Sequence, residues 1–211
     1  KYIAERVYVL ADDELFSVWY EDFSSNEDKD LSKFDFGPMN TTISGNSVEG
    51  ARLRGGGFTT ANLNKHWFWK GYVAYGFRDH RVKYSSRVEY SFNEKSYSPA
   101  EYPIHSLALT HTYDINQLGQ QYQYTNKDNV FLALKRMSDT KTSYLQNTEL
   151  SYQREHDFGL SYGANLRYKI EESTRWVPFI ENNGKKHKYY NWAETELHIR
   201  YAPNEKFYQT K

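Results

Sequence analysis

The chain contains no cysteine, which excludes a disulfide, a thiolate metal site and a thiol nucleophile. It has no run of roughly 18 apolar residues, the length that a membrane-spanning helix needs, though a barrel that crosses with strands is not excluded by this. Charge of one sign is also missing: 27 basic residues balance 27 acidic ones and are scattered along the sequence, so no global field or basic stripe attracts nucleic acid. The seven histidines show no HExxH or paired ligand spacing, and neither a metal nor any other cofactor is expected. No basic-then-apolar leader opens the chain, and both ends are expected to be cuts through a longer precursor. What is abundant is aromatic: 20 tyrosines, 12 phenylalanines and 5 tryptophans in a chain of mean hydropathy -0.89. Aromatics that recur near strand ends suggest interfacial girdles.

The organising stretch is 67–92. Trp67, Trp69, Gly71, Val73, Tyr75 and Phe77 take every second position of one arm, and Val82, Tyr84, Ser86, Val88, Tyr90 and Phe92 do so in the other. Lys83, Ser85, Arg87, Glu89 and Ser91 lie between. Side chains alternate across a pleated strand, so one face is aromatic and aliphatic and the other charged and small. Arg78, Asp79, His80 and Arg81 make the turn. Each arm spans about eleven residues, enough for a tilted strand to cross a bilayer.

Along the rest of the chain, 3–9 reads as a strand or linker. Asp12, Asp13 and Glu14 precede Leu15, Phe16, Val18, Trp19 and Phe23, which predicts a short amphipathic helix with acids at its positive end. A charged linker, 24–33, then separates an N-terminal segment, 1–33, from a β segment, 34–211, of roughly eight or more strands. In 48–60, Gly55, Gly56 and Gly57 lack the GK[ST] ending of a phosphate loop. They are read instead as places where a sheet bends or a bulky neighbour packs on the backbone. Strands are expected at 104–113, from 130, over the stretch holding Tyr144, Leu150 and Tyr152, at 158–170 and at 193–201. Long loops are expected at 114–129 and 171–190. The fold class is therefore all-β: an antiparallel up-and-down outer-membrane-type β-barrel, or part of one, with a short N-terminal helical segment.

The strings NSVEGARLRGGGFTT (46–60), GYVAYGFRDHRVKYSSRVEYSFN (71–93) and IRYAPNEKFYQ (199–209) resemble an outer-membrane family of Bacteroidota of undefined function. Its full-length members place a carboxypeptidase-regulatory-like domain ahead of a β-barrel. The likeness covers roughly 34–211 and implies an outer-membrane barrel; it carries over no catalytic or ligand residue. The leading domain of that pattern is not among residues 1–211, in keeping with the expectation that they are cut from a longer precursor.

Candidate site residues follow from the charged face. Glu194, Glu196, His198 and Arg200 share one face of the last strand. His198 with a carboxylate could act as a general base or hold a metal. The structural reading is a lumen network in which Glu149, Arg87, Glu89, Arg167 and Lys169 serve as partners, because an enclosed charge must be paired. Ser161 near a histidine would resemble the dyad of a membrane lipase, but nothing in the sequence brings the two together. His66, beside Trp67, suits an interfacial belt. Lys185, Lys186, His187 and Lys188 form a basic cluster that could touch anionic lipopolysaccharide, although a solvated loop tip is the preferred reading. Trp176 and Phe179 could stack on a sugar or peptide or fold the loop over a barrel mouth. The expected function is a non-enzymatic outer-membrane scaffold, pore or envelope-assembly component, with membrane lipid and other cell-envelope proteins as partners. A barrel enzyme acting on lipid or peptide, and a soluble β-rich binding module, are the alternatives.

Overall fold

Period-two patterning becomes antiparallel strand throughout the residues that the computed structural model describes, 33–37, 41–118, 141–174 and 177–203. The strands are β1 (Phe34–Phe36), β2 (Ile43–Asn46), β3 (Gly50–Thr59), β4 (Trp67–Gly76), β5 (Val82–Ser91), β6 (His105–Gln117), β7 (Thr142–Glu155), β8 (Leu160–Glu172), β9 (Phe179–Ile180), β10 (Lys186–His187) and β11 (Tyr189–Tyr201). Among the described residues there is no α-helix. The helix expected over 12–23, the strand-like 3–9, the strand expected from 130, Trp176 and the stretch 204–211 lie outside the described residues.

From β3 onwards the large sheet is an up-and-down meander, in the order β1-β3-β4-β5-β6-β7-β8-β11, with β2 beside β1 on the outer edge of β3. Every pairing is antiparallel. The central hairpin joins Trp67 to Tyr90 and Trp69 to Val88, which puts the aromatic positions of both arms on one face. Among the described residues the sheet does not close, since β11 pairs only with β8 and β1 and β2 only with β3.

Several boundaries differ from the sequence reading. Asp114 to Gln117, expected as loop, continues β6. The strand expected from Phe158 begins at Leu160, because Gly159 takes φ 84° in the turn and its carbonyl accepts from Ala202 N at 2.8 Å. The expected loop 171–190 contains the end of β8, a small β9–β10 hairpin and the start of β11. Short and long connections are also mixed at each end of the sheet. The rim carrying the short 77–81 turn carries the long 173–188 connection too, and the 92–104 connection shares the opposite rim with the 156–159 turn.

The two faces are buried very differently. Val88 (40%), Leu166 (50%), Leu197 (76%) and Ile199 (80%) stay exposed on the apolar face, whereas Lys83 (0%), Ala74 (1%) and Arg52 (2%) are covered on the charged face. Arg52 on β3 reaches Asp114 on β6 at 2.7 Å. Three strand spacings in a flat sheet would separate those rows by about 14 Å, so the sheet bends towards its charged face. Glycines permit close approach here, as the sequence suggested for two of them. A Cβ at Gly71 would sit 2.6 Å from the Trp69 ring, and one at Gly57 2.7 Å from the Phe34 ring, whereas Gly55 faces open space.

Candidate functional site

The concave face holds a cluster of charges at the rim of the β4–β5 turn. The Arg52 guanidinium donates two parallel hydrogen bonds to Asp114, Nη1 to Oδ1 at 2.7 Å and Nη2 to Oδ2 at 3.0 Å, the fork geometry that makes such pairs strong. The same Nη1 lies 3.1 Å from Glu49 Oε2. Lys83 Nζ bridges Glu49 at 2.8 Å and Asp79 at 2.5 Å. The Tyr72 hydroxyl donates to Asp114, and the Tyr144 hydroxyl donates to Asp79 at 2.8 Å. Turn chemistry fixes Glu49: the Asn46 side-chain carbonyl accepts from Glu49 N at 2.8 Å, while its amide donates to Glu49 Oε2 at 2.6 Å. Among the described residues these contacts join three acidic side chains to two basic ones, and Glu49, Arg52 and Lys83 are at most 2% exposed. Buried charges tolerate this only when each is hydrogen-bonded and paired. The sequence reading missed this cluster. Its signal was an isolated charge inside an apolar run, Arg52 between Ala51 and Leu53 and Lys83 between Val82 and Tyr84.

The residues singled out from the sequence lie mostly on β5, β7, β8 and β11. Arg167 faces Glu149 across one strand pair and Glu194 across the other. It bonds Glu149 at 2.6 Å and Glu196 at 2.6 Å, and Lys169 bonds Glu194 at 2.7 Å. The Trp192 indole N–H adds a bond to Glu194 at 2.6 Å. Arg87 pairs within its own strand with Glu89 at 2.8 Å, so it is not joined to the β8–β11 ladder. His198 sits opposite Gly163 and Arg200 opposite Ser161. His66 donates through Nδ1–H to the Ser91 carbonyl at 2.8 Å and stacks on Tyr90. Among the described residues no three His, Asp or Glu side chains are grouped to hold a metal ion.

Phe179 pairs with His187 and Ile180 with Lys186 in a hairpin whose turn uses Gly184 at φ 80°. Lys185, Lys186, His187 and Lys188 are all exposed. His187 Nε2 lies 3.2 Å from Glu181, and its hydrogen bond, with that of Asn183, holds the Glu181 carboxyl below the usual carboxylate range. Hydrogen bonding to Glu172 holds the Arg81 guanidinium above its ordinary value. Such an arrangement can bind charge and tie neighbouring strands together. No protein-family profile, no curated protein and no solved structure matches this chain.

Proposed function

We propose that the chain forms the wall of an outer-membrane β-barrel and acts as a non-enzymatic scaffold, pore or envelope-assembly component in a bacterial cell envelope. The observation that carries this reading is the inverted burial of the sheet. Leu166, Leu197, Ile199 and Val88 on the apolar face stand open, and Arg52, Lys83 and Glu89 on the other face of β3 and β5 are enclosed. A water-soluble sandwich would bury the first set between two layers, whereas a lipid-facing wall leaves it outside and keeps polar groups in the interior. The resemblance of 46–60 and 71–93 to outer-membrane barrels of Bacteroidota points the same way. The filled interior between β3 and β6 favours a scaffold over a wide channel. Lipid is then the first partner, and other envelope proteins the next.

The test is refolding of the full chain from urea in the presence of phosphatidylcholine vesicles. Co-flotation with the vesicles and heat-modifiable migration on gels are expected. A folded monomer that stays in detergent-free buffer would overturn the reading in favour of a soluble binding module. Vesicle-inserted protein that cleaves lipid or peptide, and loses that activity on changing Glu196 and His198, would favour the barrel enzyme.

A further inference from the structure

The two rims of the sheet carry different charge. On the rim that holds the 77–81 turn and the β9–β10 hairpin, Arg78, Lys185, Lys186 and Lys188 are exposed. Of the acids described there, Glu49 and Glu171 are buried, the Asp79 and Glu172 side chains are 8% and 13% accessible, and Glu181 is exposed beside His187. Lys185 and Lys186 have no ion-pair partner among the described residues, and Arg78 donates to the Ser47 carbonyl at 2.9 Å rather than to a carboxylate. At the opposite rim the exposed cations Lys33 and Lys65 are offset by the exposed acids Glu94, 3.0 Å from Lys65, and Asp157. Beside the basic rim, Phe77, Ile180 and Tyr189 are exposed, so unpaired cations adjoin aromatic and aliphatic groups. A cavity of about 320 Å³ opens there, lined by Arg78, Arg81, Ser173 and Thr174 and, on its inner side, by Asp79 and Tyr144.

We propose that this rim docks on the phosphate groups of an anionic lipid leaflet and so sets which end of the wall faces them. The inference rests on the barrel reading. Cations next to an interfacial aromatic girdle sit at the depth of lipid phosphates, and each basic side chain near an anionic surface contributes about a fivefold preference.

The experiment compares urea unfolding of the full chain in phosphatidylcholine vesicles with and without phosphatidylglycerol, for the parent and for the triple variant Arg78→Gln, Lys185→Gln, Lys186→Gln. The parent is expected to show a higher folded-to-unfolded ratio with phosphatidylglycerol, by roughly a hundredfold more than the variant, and molar salt should abolish the difference. Arg78→Lys should keep the parent's behaviour, which separates charge from damage to the fold. Equal lipid dependence in parent and variant overturns the proposal, as does the same stabilisation from free inorganic phosphate without anionic lipid. Insertion into phosphatidylcholine with no response to phosphatidylglycerol overturns this inference and leaves the barrel reading standing. Failure to float with either vesicle overturns both.

Discussion

Replacing Arg52 with methionine tests whether the buried ion cluster holds the wall together. Arg52 bonds Asp114 through two nitrogens, at 2.7 and 3.0 Å, and Glu49 at 3.1 Å. Its side chain is 1% accessible and that of Asp114 3%. Among the described residues, Glu49, Asp79 and Asp114 face Arg52 and Lys83. Arg52→Met leaves these three carboxylates with one lysine, and removing one partner of a buried pair costs about 3–5 kcal/mol. Asp114→Asn instead leaves two carboxylates with two cations among the same groups, and the new amide can still accept from Tyr72. Its cost should be about 1.5–3 kcal/mol, the value of a lost charge-assisted hydrogen bond. The double variant should cost less than the sum of the singles, because contacting groups couple. The assay is urea unfolding in vesicles followed by tryptophan fluorescence, with heat-modifiable migration as a second probe. If Asp114→Asn costs as much as Arg52→Met, or if the two add, charge imbalance is not what makes the cluster fragile.

On the β8–β11 ladder, Glu196→Gln should leave the unfolding midpoint close to the parent's, since its pair with Arg167 is half-exposed on the glutamate side and screened by solvent; the same unfolding assay measures it. Gly71→Ala drives a methyl to 2.6 Å from the Trp69 ring and 2.7 Å from the Ser85 carbonyl and should cost about 1–3 kcal/mol, whereas Gly55→Ala, with nothing within 4 Å, should be close to neutral. Leu166→Arg should destabilise the vesicle-inserted protein by about 2–4 kcal/mol if that row meets lipid; no loss would count against a lipid-facing wall. The hydrogen bond and charge of Lys65 hold the Glu94 carboxyl below its ordinary value. Any stability from that pair is present above the unfolded glutamate value and fades as pH falls through the folded one. An NMR titration should show the Glu94 midpoint rising in Lys65→Ala.

The β4–β5 hairpin was legible because its alternation is unbroken and its turn residues are polar, so register followed from pattern. The β6 boundary was misplaced for a chemical reason. Asp114, Asn116 and Gln117 look like loop, yet Tyr113 and Ile115 continue the period of two, and a sheet with a polar interior accepts an aspartate where a soluble core would not. The ladder of Glu149, Arg167 and Glu194 was within reach because facing strands place like rows together. The cluster around Arg52 was not, since β3 and β6 are never neighbours in the sheet and only its bend brings their side chains into contact. The β9–β10 hairpin escaped notice because pairs of two residues leave no period to read.

The outer margin of β11 has a consequence for the chain in solution. Among the described residues the thirteen of this strand are bonded on one side only, to β8, and the outward Leu197, Ile199 and Tyr201 flank that margin. A long row of amides and carbonyls left open is a template for further strands. Dilution from denaturant into plain buffer should therefore stack the protein into fibrous precipitate.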